Sequence, residues 1–143
     1  MRIVHTILEI TTEFENQLIK LDNSINQMLT ESKMISGIIN IFCPGSTGAI
    51  STIEYEEGLI KDFPVIIDKI VPPDGVNHIY FHNKYNSDDN GHSHLRATII
   101  GPSLSIPFEN KKLMLGIWQN IIFIEFDRHT PRQRKIVISI MGE

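Results

Sequence analysis

The sequence predicts one α+β domain whose antiparallel strands gather toward the C-terminal end. Three observations predict it. The 143 residues, 41% hydrophobic and 21% charged, suffice for a single buried core and argue against disorder. Two stretches in the first half carry apolar residues three and four apart, the spacing of a helix with one buried face. From Ser93 onward the chain breaks into short apolar segments divided by turn residues, the mark of consecutive strands. No repeat, linker or low-complexity tract divides residues 1–143.

In order, Arg2–Thr11 is rich in Ile and Thr and reads as a strand. Phe14–Leu21 is mixed. It suits a strand folded back on the first through Thr11-Thr12-Glu13, or a helix on Leu18, Ile19 and Leu21. Asp22, Asn23 and Ser24 offer N-caps for a helix to about Ser32, with Ile25, Met28 and Leu29 on its inner face. Ile35–Cys43 is apolar nearly throughout, predicting a strand covered on both faces. Pro44-Gly45-Ser46-Thr47-Gly48 interrupts, and Ala49–Glu54 resumes the strand pattern. Leu59–Val71 predicts a second helix with Pro64 in its first turns, ended by Pro72-Pro73-Asp74-Gly75. Asn77–Gly91 reads as a long polar loop, of a length that points to function. Ser93–Gly101, Ser103–Phe108, Leu113–Gly116, Trp118–Asp127 and Lys135–Met141 read as strands.

Several classes are excluded. A net charge of −4 without a basic face disfavours nucleic-acid binding. No apolar run approaches the roughly 20 residues of a membrane span, and the N-terminus lacks a secretory h-region. The single Cys43 forms no internal disulfide and reads as a small buried hydrophobe. The expectation is a cytoplasmic globular protein.

Four of the six histidines, His78, His82, His92 and His94, fall between Asn77 and Leu95. On a strand, His92 and His94 share one face with Arg96 and Thr98. His-x-His in that setting presents two imidazoles to one divalent metal, and the loop offers a third ligand from His82, Asp88, Asp89 or Asn90. The expected site is His82, His92 and His94 around zinc or magnesium, with the acidic loop residues orienting the rings. Gly45, Ser46 and Thr47 form a loop whose N–H groups and hydroxyls suit an anion, although no Walker A sequence follows. Glu54 and Glu125 are lone carboxylates in or at the end of apolar strands, either buried and then paired or functional, or simply at exposed strand ends. Trp118 suits a core position. Arg128, Arg132, Arg134 and Lys135 read as a solvated hairpin end, and secondarily as a phosphate site.

Gly91-His92-Ser93-His94-Leu95-Arg96-Ala97, Gly101-Pro102-Ser103, Ile106-Pro107, Leu115-Gly116-Ile117-Trp118-Gln119 and the terminal Met141-Gly142-Glu143 resemble the YjbQ-like family, known as the secondary thiamine-phosphate synthase enzymes. The resemblance runs from the Gly45–Glu54 segment to the C-terminus. It implies a mixed, mostly antiparallel sheet curled into a half-barrel with two main helices packed on it, and a homotrimer. It also implies an enzyme joining a pyrimidine diphosphate to a thiazole phosphate with release of pyrophosphate. Residue by residue it implies catalytic roles for His94, Glu54, Glu125 and Gln119, a substrate contact for Trp118, and a second family histidine in His82. Where many bacterial members carry His-Thr-Thr, this chain has Gly45-Ser46-Thr47, the form of an archaeal-type subfamily, and His92 stands in for the missing histidine.

The two readings converge on a pocket for diphosphates. The metal would neutralise the leaving pyrophosphate, while loop N–H groups and Arg96 hold phosphate oxygens. The expected function is metal-assisted transfer on small phosphorylated substrates. The alternatives are a non-catalytic small-molecule or metal-binding trimer and a hydrolase of phosphorylated metabolites.

Overall fold

The computed structural model describes residues 1–75 and 78–143. Asn77, where the predicted polar loop begins, lies outside the described residues. The strands are β1 (Arg2–Thr12), β2 (Gln17–Lys20), β3 (Gly37–Phe42), β4 (Gly48–Ile53), β5 (Ser103–Glu109), β6 (Lys112–Leu113), β7 (Asn120–Glu125) and β8 (Arg132–Gly142). The helices are α1 (Asp22–Ser32), α2 (Glu57–Ile70), α3 (Phe81–Asn86) and α4 (Gly91–Ile100). Every pairing among the described strands is antiparallel, in the orders β1-β8-β3-β5-β6 and β2-β7-β4, and the sheet curls into a half-barrel.

The inner face of the five-stranded sheet packs Ile39, Ile41, Phe108, Ile136, Ile138 and Ile140 against α1 and one face of the three-stranded sheet. The other face of that smaller sheet packs Leu18, Ala49, Ile122 and Ile124 against Ile67 of α2 and Ala97 of α4. β7 is therefore covered on both sides, which explains its unbroken Ile-Ile-Phe-Ile run in an antiparallel setting. Each such side chain contributes roughly 1.5–3 kcal/mol by leaving water.

Several expectations are corrected. Ser93–Gly101 is not a strand: its buried residues, Gly91, His92, Ser93, Arg96 and Ala97, recur at helical spacing in α4. The polar loop contains α3. The segment after β1 forms β2, which pairs with β7 rather than back on β1. None of Asp22, Asn23 and Ser24 caps α1, whose N-cap position is Leu21. Asp22 instead accepts the Ile121 N–H at 3.1 Å. α2 starts earlier than predicted, capped by the Glu56 carboxylate at the Gly58 and Leu59 N–H groups, so Pro64 falls mid-helix. The strand predicted over Leu113–Gly116 shrinks to β6, and Trp118, expected in the core, is 68% exposed in the turn before β7. β3 is covered on one face only: Ile38 and Phe42 point outward, beside Met141 and Ile3 and Ile7 of the adjoining strands.

Candidate functional site

Strand alternation builds the floor of the site. Glu125 follows Ile121 and Phe123 on the inner side of β7, and Arg134 precedes Ile136 on the inner side of β8, so opposite charges meet where the two sheets converge. Arg134 donates from Nε to Glu125 Oε2 at 2.8 Å and from Nη2 to Glu125 Oε1 at 2.5 Å. The Thr12 hydroxyl and the Asp127 N–H complete the carboxylate's partners. Arg134 Nη2 also donates to Thr47 Oγ1 at 2.9 Å, and that hydroxyl donates to Asp127 Oδ2 at 2.9 Å. Arg132 pairs with the same Asp127 oxygen.

The Glu125 carboxylate outweighs the effect of burial and holds the Arg134 guanidinium above its ordinary pKa. Burial alone would raise Asp127. The His129 N–H, the Thr47 hydroxyl and the Arg132 and His129 charges together hold it below the usual carboxylate range. The expected solvated hairpin end is thus partly a buried lattice: Arg134 is enclosed, while Arg128 stays at the surface against Asp89. Cys43 is enclosed too, and burial pushes its thiol up to about 11, leaving it an inert packing residue.

Above this floor lies the Pro44–Thr47 loop, and over the loop stands His94. A helix turns about 100° per residue, so His92 and His94 point nearly opposite ways. His94 shares its face with Thr98, and the two side chains line a cavity of about 280 Å³ with Gly45, Ser46, Gly48, Ala97 and Pro102. His94 also borders a second cavity of about 340 Å³ with Tyr80, Phe81, His82, Gly91 and Leu95. Its ring centroid is 4.5 Å from that of His82 on α3. Burial and the neighbouring His82 lower the His94 pKa, outweighing Asp127, Asp88 and the Ser46 carbonyl, which favours the neutral imidazole.

His92 and Arg96 share the opposite face and are spent elsewhere. His92 Nε2 lies 2.6 Å from Glu15 Oε1. Arg96, fully buried, donates to the Val71 carbonyl, Glu15, Asn16 and Asp68. These bonds clamp α4 to the β1–β2 turn and the end of α2. The strand-face geometry behind the His82, His92, His94 triad therefore fails: His82 and His94 meet, and His92 does not join them. The guanidinium beneath the loop is that of Arg134, with Arg96 committed on the far face of α4.

The donors that remain are imidazoles and carboxylates, types that a divalent cation takes, and among the described residues the group of three that converges is Asp88, Asp89 and His129. His82 and His94 offer paired rings, His82 Nε2 is buried without a hydrogen-bond partner, and Asp88 Oδ2 lies 3.8 Å from it. Asp88, Asp89 and His129 bring ligand atoms within 4.8 Å of one another nearby, the Asp89–His129 pair at 2.7 Å. Asn90 lies at the N-cap of α4 with its Oδ1 buried and unpartnered.

Glu54, Trp118 and Gln119 lie apart. β4 and β7 pair from Gly48↔Glu125 to Ile53↔Asn120, so these residues sit at the opposite strand ends, roughly 17 Å away along the sheet. Glu54 is exposed, and Gln119 spends its amide on Thr52 Oγ1 and the Gly116 N–H. Asp127 and His129 have no site role in the sequence reading, and Arg134 enters it only within the hairpin cluster read secondarily as a phosphate site. Glu125-x-Asp127 at the end of an apolar strand, facing three nearby arginines, was the available signal.

The YjbQ-like UPF0047 family profile matches residues 6–143. A UPF0047 protein of Methanothermobacter thermautotrophicus is 36% identical over 136 residues, covering 95% of this chain and 90% of that protein. The UPF0047 protein YugU of Bacillus subtilis is 30% identical over 137 residues, covering 94% and 97%. The crystal structure of a protein of unknown function from Sulfolobus solfataricus superposes with a TM-score of 0.91 at 33% identity, covering 99% of both chains. Among the described residues no helix is long and apolar enough to cross a membrane.

Proposed function

The chain belongs to the YjbQ-like UPF0047 family, and from that premise we propose that it is a metal-assisted transferase acting on small phosphorylated substrates, with thiamine-phosphate synthesis as its reaction. One observation carries the reading: His94 stands between two cavities of different chemistry. One is walled by a Gly/Ser loop suited to phosphate oxygens, the other by Tyr80, Phe81 and His82, suited to a flat ring. A two-substrate transfer needs such adjoining compartments.

In that reaction the thiazole nitrogen attacks the methylene carbon of the pyrimidine diphosphate. The C–N bond forms as the C–O bond breaks, and its electron pair leaves with pyrophosphate. His82 and His94, with Asp88 at hand, would hold a zinc or magnesium ion that neutralises the leaving group. The chain's own contribution is positional. The loop orients the diphosphate, the aromatic wall holds the ring, and the clamp through Arg96 and His92 fixes α4, so that His94 faces both.

Pyrophosphate release with both thiamine precursors, in wild type and His94→Ala, tests the reading. Release that requires both precursors and collapses in the variant supports it. Equal rates in the two proteins overturn it. Release from a single precursor replaces it with hydrolysis.

A further inference from the structure

We propose that the Pro44–Thr47 loop and the Nη1 group of Arg134 form a subsite for one phosphate-sized oxyanion, built before any substrate arrives. The inference rests on the proposed function only for calling that anion a substrate phosphate; the subsite itself follows from which donors are spent and which are free.

Arg134 is nine-tenths buried, and its Nε and Nη2 are committed to Glu125 and Thr47. Nη1 donates to none of the described residues. It lies beneath Gly45, where a Cβ would stand 3.5 Å from it. Gly45 has φ of +107°, a conformation side chains rarely adopt, so glycine both permits the turn and leaves the guanidinium uncovered. Among the described residues, the N–H groups of Gly45, Ser46 and Thr47 donate to no protein acceptor.

Gly45 and Ser46 are exposed, so a ligand can reach them. The carboxylates nearby do not repel it: Glu125 is neutralised by Arg134, and Asp127 by Arg132. The two ion pairs leave the floor without net charge, and what they leave unused is the Nη1 donor of a fixed guanidinium and a short run of backbone dipoles, the two elements of an oxyanion cradle. The two-point grip of Glu125 removes the rotamer entropy that a surface arginine loses on binding, so the site is preorganised.

The test is titration of the full-length, chelator-treated protein with inorganic pyrophosphate, followed by calorimetry and by ¹⁵N shifts of arginine-labelled protein. Saturable binding that moves the Arg134 side-chain resonances is expected. About tenfold or greater weakening is expected in Arg134→Lys, which keeps the charge but loses the fork. Gly45→Ala, which leaves the Arg134–Glu125 pair intact, should weaken binding as well, so the test survives a misfolded Arg134→Lys. Arg128→Gln, a surface control, should bind as wild type. No saturable binding, unmoved Arg134 resonances, wild-type affinity in Gly45→Ala, or equal weakening in Arg128→Gln would each overturn the subsite. Pyrophosphate binding without any transfer activity would condemn the transferase reading and leave the subsite standing. Transfer at wild-type KM in Gly45→Ala would do the reverse.

Discussion

Glu125→Gln is the sharpest probe of the floor on which the loop rests. The carboxylate is inaccessible to solvent and accepts hydrogen bonds from Thr12, the Asp127 N–H, and Nε and Nη2 of Arg134. Glutamine keeps the volume but turns one acceptor into a donor facing other donors, and leaves the enclosed guanidinium without its counter-charge. Removing one partner of such a buried pair costs about 3–5 kcal/mol. For a chain of this length the thermal midpoint should fall by on the order of 10–15 °C. The assay is thermal and urea unfolding at fixed protein concentration, since association would otherwise shift both midpoints. Glu125→Gln/Arg134→Met, which removes the stranded charge as well, should recover a substantial part of the loss. A single-variant cost below about 1 kcal/mol, or a double variant equal to the sum of its singles, would refute the argument that the pair anchors this region.

Three further outcomes follow from the same geometry. Asp127 has a native pKa below its unfolded value, so its contribution to stability is complete above about pH 3.9 and is lost as pH falls through the native value; Asp127→Asn should flatten the acid limb of the stability–pH curve, and an unchanged limb counts against it. Zinc retention, measured by metal analysis after dialysis, should be lost in acid, at a pH below the ordinary imidazole range because burial and His82 lower the His94 pKa. It should be lost in His82→Ala and His94→Ala but kept in His92→Ala, and equal loss in all three would restore the three-histidine site. Light scattering should return three times the 16.3 kDa chain mass: Ile3, Ile7, Ile38, Phe42 and Met141 leave the outer face of the larger sheet apolar and bare, which calls for association, and the family resemblance implies a trimer. Ile38→Glu with Met141→Lys should give the monomer, and a 16.3 kDa wild-type species would end the trimer proposal.

Much of this protein is written in local pattern. The Ile-rich runs of β1, β3 and β7, the helical spacing of α1 and α2, and the Pro-Gly-Ser-Thr-Gly break are periodic or conformational signals, legible because period 2, period 3.6 and glycine punctuation act over a few residues. His82, His94 and the Gly45–Thr47 loop stand out in the same way, as unusual residue types in unusual places. Local pattern misled at α4. His92-x-His94-x-Arg96 alternates like a strand, while the burial that decides the matter, Gly91 to Ser93 with Arg96 and Ala97, depends on what α4 packs against. Tertiary structure alone separated His92 from His94, moved Trp118 and Gln119 to the far end of the sheet, and put Arg134 rather than Arg96 beneath the loop. The physical reason is common to all three. Whether a charged or polar side chain is free to meet a ligand depends on which distant partners have already taken its hydrogen bonds. Glu15 for His92, Asp68 for Arg96 and Glu125 for Arg134 are supplied by the packing of separate elements and leave no mark in the residues beside them.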